Sequence, residues 1–172
     1  MMAVTHPSTS DLADAGSRAV IDGATARLQK AGAILGSGKC FRRRLTTPMD
    51  LHRAMVEGVF PYASLDRLLF HCKHLKAADI APAVGLTDRA LRDRLKRPDA
   101  SMPAAVASRA WLVAEVLVQA AGIFGGLEQA EHWMTRPATG LDGLRPIELV
   151  ETLQGAGLLK DFLGRLEYGV YS

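Results

Sequence analysis

The chain has 172 residues, 48% of them hydrophobic and only 6% aromatic, with a formal net charge of +3. That length gives one domain or two small ones with room for a core, and an Ala- and Leu-rich composition favours packed helices over sheets, which draw on β-branched and aromatic residues. Two cysteines, Cys40 and Cys72, exclude a disulfide framework and a four-cysteine metal site.

Residues 1–10 are polar and contain Pro7, the composition of a disordered lead. With no basic stretch followed by an apolar one, this start reads as no secretory signal. From Asp11 to about Leu35, apolar residues recur at loosely helical spacing, and Gly36-Ser37-Gly38 break the pattern. Lys39 to Arg44 form a basic connector. Thr47-Pro48 reads as a helix start, because a proline in the first turn lacks an N–H that would be unpaired anyway; Gly58 ends that helix. Ser64 is the expected cap of the next, with Leu65, Leu68, Leu69 and Cys72 turned inward.

Lys76 to Lys96 reads as two short helices around Gly85. Ala81, Gly85 and Leu91 have the spacing of a helix-turn-helix: a small residue for close packing, a glycine for the turn, and an apolar anchor for the second helix. Ile80, Leu86 and Leu95 complete the apolar side, and Thr87 is an N-cap. This leaves Thr87, Arg89, Arg92, Lys96 and Arg97 as candidate DNA contacts, with Arg89 and Arg92 on base edges and Lys96 and Arg97 on phosphates. Pro82 counts against a competent motif, unless Asp79 is the N-cap and Pro82 falls in the first turn.

Ser101 and Pro103 open a long helix to Phe124, apolar nearly all round and therefore central. Its longest apolar run, Val116 to Leu127, is interrupted by Gln119 and flanked by Glu115 and Glu128, short of the roughly 20 residues of a membrane span; the expectation is a buried helix in a cytoplasmic protein. Gly125-Gly126 stops it. A helix from Leu127 to Met134, a Pro/Gly-rich loop, a helix from Pro146 and a last helix from about Gly157 to Tyr168 complete an all-α chain. In that last helix Leu158, Leu159, Phe162, Leu163 and Leu166 are expected to face the body.

The charge is unevenly spread. Residues 39–97 hold 13 Lys/Arg against 6 Asp/Glu, whereas residues 98–172 hold 5 against 9. A basic middle suits phosphates and an acidic end suits a protein surface, and two solvated faces would account for the split as well.

From Ala130 to Ser172, the order of Trp133, Pro137, Leu141, Gly143, Pro146, Glu148, Leu149, Thr152, Gly155, Leu163, Leu166 and Gly169 resembles the toxin-binding domain of the Xre/MbcA/ParS antitoxins. Ala121-Gly122-Ile123-Phe124-Gly125 stands ahead of Ala130 and Trp133 much as in that family, and Met134 replaces a common Leu. The resemblance implies an antitoxin of a type II toxin–antitoxin system whose partner is a RES-domain toxin that consumes NAD, either degrading it or using it to ADP-ribosylate a target. It also implies that the antitoxin covers the toxin's NAD cleft and that the pair represses its own operon. Arg165, Glu167, Tyr168, Gly169, Val170, Tyr171 and Ser172 are then the candidate plug, with Arg145 and the loop from Pro137 beside it. Tyr168 and Tyr171 offer large contact area at low side-chain entropy.

No catalytic set accompanies this. His71-Cys72-Lys73-His74 lacks a second ligand pair at zinc spacing and reads as helix surface. Glu128, Glu131 and His132 have no nucleophile, oxyanion donors or cofactor loop near them in sequence. The expectation is therefore a non-enzymatic protein without cofactor or metal, divided into an N-terminal arm (1–45), a helix-turn-helix domain (46–102) and a toxin-binding domain (103–172). Its partners would be a RES-domain toxin and operator DNA, and it would act as a homodimer within the toxin–antitoxin complex. The competing reading is a free-standing DNA-binding regulator whose C-terminal part only dimerises.

Overall fold

Thr47 and Asp50 start the first fully described helix by reciprocal capping. The Thr47 hydroxyl accepts from the Asp50 N–H at 3.1 Å, and the Asp50 carboxylate accepts from the Thr47 N–H at 3.0 Å, so two donors that the first turn leaves open are satisfied. The same logic repeats along the chain, and the computed structural model, which describes residues 23–41, 43 and 45–169, is all-α. Its helices are α1 (23–34), α2 (Pro48–Val56), α3 (Ala63–His71), α4 (Ala77–Ala83), α5 (Asp88–Leu95), α6 (Ala104–Phe124), α7 (Leu127–Met134), α8 (Pro146–Leu149) and α9 (Leu153–Glu167). A single 3₁₀ turn covers Thr139–Leu141. Among the described residues no β-strand forms, only isolated bridges at Ser37–Phe41 and Pro61–Ser101. The expected start of α1 at Asp11 lies outside the described residues.

The centre of the fold is α6. Its 21 residues are long and apolar enough to cross a membrane by composition, beyond the shorter run visible in the sequence. Here the helix is instead surrounded by protein: Ala110, Trp111, Val113, Ala114, Val116, Leu117 and Ala120 are all buried, and α2, α4, α7 and α9 pack around it. Gly125 ends it in the left-handed conformation, φ 90°, which glycine adopts without a Cβ penalty.

The amino-terminal arm joins the same core. Ala31 and Leu35 are fully buried, and Gly32 faces the Trp111 ring. Phe41 and Phe60 meet at 4.7 Å between ring centroids, and Phe60 meets Trp111 edge-on at 6.2 Å. The arm therefore packs against α6, a role its sequence did not disclose.

Two boundaries, at α3 and α9, differ from expectation, and at α4 one of the two open alternatives holds. Tyr62, not Ser64, is the N-cap of α3; Ser64 is the second residue of the helix and buried, its hydroxyl unpartnered among the described residues. Lys76, not Asp79, is the N-cap of α4, so Pro82 sits inside that helix. And α9 starts at Leu153, capped by the Thr152 hydroxyl, which accepts from Gly155 N–H at 3.0 Å.

Candidate functional site

Two surfaces gather the candidate residues. The first is α9. At about 100° per residue, Ala156, Leu159 and Leu163 fall on one side and are buried, with Phe162 and Leu166 flanking them at half burial. Trp133 links the helix to the core, lying parallel to Phe162 with 6.2 Å between centroids and tilted against Phe124 at 5.1 Å. Gly155 lets the helix start against α8, since a Cβ there would overlap the Leu149 carbonyl oxygen.

The opposite side of α9 is exposed and mixed, with Leu153, Leu158 and Tyr168 among Gln154, Asp161 and Arg165. Leu153 is 86% exposed, Leu158 62% and Tyr168 70%, and Arg165 lies on the same arc, also exposed. Leu158 was expected to dock inward; it faces solvent instead, on the arc opposite Leu159 and Leu163. Three large apolar side chains left uncovered on the outer arc of one helix offer contact area to a partner.

Glu167 and Arg145 are not left available as the sequence reading has them. The Glu167 carboxylate accepts from Arg27 of α1 at 2.9 Å and from the Gln119 side chain of α6 at 3.1 Å, so it fastens the end of α9 to the arm and the central helix. Arg145 caps α8, donating from Nε to Glu148 at 2.9 Å and from a terminal nitrogen to Asp79 of α4 at 3.1 Å. The hydrogen bond to Glu148 foremost, with the charges of Glu148 and Asp79, pushes the Arg145 guanidinium above its ordinary value. The Arg145 side chain and backbone hold Glu148 below the usual carboxylate range. Tyr168 and Gly169 remain open, and Val170, Tyr171 and Ser172 lie outside the described residues.

The second surface is the α4–α5 pair. Ile80, Ala81 and Leu91 are fully buried, as their spacing required, and Gly85 makes the turn at φ 76°. A Cβ there would also push aside the Arg109 guanidinium, the flexible end of an exposed side chain. Pro82 is exposed, so its ring is accommodated in solvent. Thr87 caps α5, accepting from Ala90 N–H at 3.1 Å. Arg89 and Arg97 are exposed. Arg92 pairs with Asp88 on its own helix, and Lys96 with Asp93 at 2.7 Å, which holds the Asp93 carboxyl below its ordinary range. Asp93, Arg94, Lys96 and Arg97 rim an open depression of about 490 Å³.

The structure also unites residues that the sequence separates. Glu131 is buried and accepts the N–H groups of His74 and Leu75 at 2.5 and 3.0 Å, pinning the α3–α4 connector to α7. Those bonds satisfy an otherwise costly buried carboxylate. Burial, with Glu131 nearby, pushes the Cys72 thiol up to about 12, so it stays protonated.

Residues 119–169 match the C-terminal toxin-binding domain of the Xre/MbcA/ParS antitoxins. That stretch of the chain is similar to this family's domain. The matched domain begins within α6 and runs through α7, α8 and α9 to Gly169, so it contains the exposed face of α9. A curated relative, "Antitoxin Xre" of Yersinia enterocolitica serotype O:8 / biotype 1B, is 35% identical over 96 residues, which are 55% of this chain and 64% of the relative. The chain thus covers slightly less than two thirds of that relative's length. The match to the Xre/MbcA/ParS domain is confined to residues 119–169, and the basic helix pair α4–α5 lies outside it.

Proposed function

We propose that this protein is the antitoxin of a type II pair, binding a RES-domain, NAD-consuming toxin and blocking its NAD site. The observation that carries the reading is the uncovered face of α9, Leu153, Leu158, Arg165 and Tyr168, inside the domain that matches a toxin-binding family. That face docks on the toxin, and the tail from Tyr168 to Ser172 enters its cleft. Arg145 and Glu167 act as positioning residues, since their charged groups are engaged within the fold. Tyr171 contributes a second aromatic anchor.

In the same proposal α4 and α5 form a helix-turn-helix that represses the operon of the pair, and the protein acts as a homodimer in a hetero-oligomeric complex. Arg89 and Arg97 are the direct DNA contacts. Arg92 and Lys96 must exchange their pairing with Asp88 and Asp93 for phosphates or bases, which lowers their net contribution. Thr87 sets the start of the reading helix.

A chain ending at Glu167 tests this reading, because it keeps Leu166 packed and Glu167 paired with Arg27. Toxin assayed for NAD consumption should be silenced by the full chain and released by the shortened one. Undiminished silencing by the shortened chain would overturn the plug. Arg89→Ala with Arg97→Ala should abolish the operator shift and leave silencing intact, whereas an unchanged shift would remove the pair from DNA recognition.

A further inference from the structure

His74 lies in the connector between α3 and α4, 54 residues before Glu128 in the chain, yet its Nε2 is 3.5 Å from Glu128 Oε1. The His74 and His132 rings face each other with centroids 3.8 Å apart. Glu128 and His132 are four apart on α7, so they share one face of that helix. One ligand atom from each of the three residues can be chosen so that all lie within 4.8 Å of one another. Around a tetrahedral zinc, ligand bonds of about 2.0–2.1 Å place donor atoms roughly 3.3 Å apart. Side-chain rotation of about an ångström therefore closes the set.

The backbone beneath the cluster is already fixed. Glu131, on the next turn of α7, holds the N–H groups of His74 and Leu75, so the connector cannot carry His74 away from the helix. His74 and His132 are half-buried and Glu128 is exposed, which leaves the outward direction open to a water or a partner's ligand. Lys73 is the competitor: its Nζ donates to Glu128 Oε2 at 3.1 Å, and it is a largely exposed side chain free to swing out.

We propose that His74, Glu128 and His132 form a three-ligand site for a borderline divalent cation, zinc foremost. Two imidazoles and one carboxylate suit zinc, nickel or cobalt, and disfavour magnesium and calcium, which take oxygen ligands. The bound ion clamps α7, at the start of the toxin-binding half, to the connector that leads into α4. It adds a tie between the two candidate surfaces, and it is independent of whether either surface binds the partner proposed above.

The test is a calorimetric titration of the full chain with zinc chloride in a buffer that does not chelate. One ion per chain should bind, with half-saturation below about 100 µM, as expected for three protein ligands in an open site. Glu128→Gln, on an exposed helix position that does not endanger folding, should weaken binding at least tenfold, and so should His132→Ala. His71→Ala, at the last residue of α3 and outside the cluster, should leave it unchanged. Zinc should raise the melting temperature of the parent chain and not that of Glu128→Gln. Magnesium should do neither. Absence of a zinc isotherm in the parent chain, or equal affinity in Glu128→Gln and the parent, would overturn the site.

Discussion

Arg145, the cap of α8, reaches 66 residues back along the chain to donate to Asp79 in the first turn of α4 at 3.1 Å. Asp79 meanwhile accepts from the Lys76 N–H at 3.1 Å, closing the start of α4. One carboxylate thus both caps the first helix of the basic pair and ties it to the matched C-terminal domain. Both side chains are partly exposed, 39% and 19%, so solvent screens the pair. A double-mutant cycle on Arg145→Ala and Asp79→Ala should give a coupling of about 0.5–1 kcal/mol in denaturant unfolding. Additive losses would mean that the two helices are held by apolar packing alone.

Two glycines of α9 should respond in opposite directions to the same change. At Gly155 a methyl group would overlap the Leu149 carbonyl, a backbone atom that cannot move aside, whereas at Gly157 it would meet nothing. Gly155→Ala should therefore destabilise the fold by about 1–3 kcal/mol. Gly157→Ala should stabilise it by about 0.5–1 kcal/mol, because alanine loses less backbone freedom on entering a helix. Thermal unfolding of the two variants checks the pair; equal shifts would contradict the close approach of α8 and α9.

Acid should weaken the start of α2. Hydrogen bonds from the Thr46 and Thr47 side chains, then from their backbone N–H groups, lower the Asp50 carboxyl from 3.8 to about 2. A folded-state value below the unfolded one means that this contribution is fully present above about pH 4 and disappears as pH falls through 2. The parent chain should melt higher than Asp50→Asn at neutral pH, and the difference should close between pH 4 and pH 2. A gap that stays constant over that interval would contradict the capping role.

The elements were mostly legible where local chemistry decides them. The ends of α6 and α7 follow from Gly125-Gly126, and the buried set of α4–α5 from Ala81, Gly85 and Leu91. Legibility failed where tertiary contacts decide. The sequence reading starts the last helix at about Gly157, yet Gly155 is a contact residue within α9 and the Thr152 cap went unused; Leu158 was turned inward for its apolar character alone and lies outward. Ser64 has the composition of a cap but sits inside α3, packed in the core. Glu167 and Arg145 looked free because their partners, Arg27 and Asp79, are 140 and 66 residues away. His74 and the Glu128/His132 pair each looked inert alone, and nothing in their spacing signals that the connector folds onto α7. In the family pattern the sequence did identify the half of the chain that presents the open face of α9.

The central claim is that the tail of this chain occupies the same space as the toxin's nucleotide. Affinity for a RES-domain toxin, measured by surface binding with and without a saturating non-hydrolysable NAD analogue, tests it most directly. The account predicts at least a tenfold weaker affinity for the full chain when the analogue is present, and no effect of the analogue on the weaker binding of a chain ending at Glu167. Full-chain affinity that is indifferent to the analogue would show that tail and nucleotide sit apart.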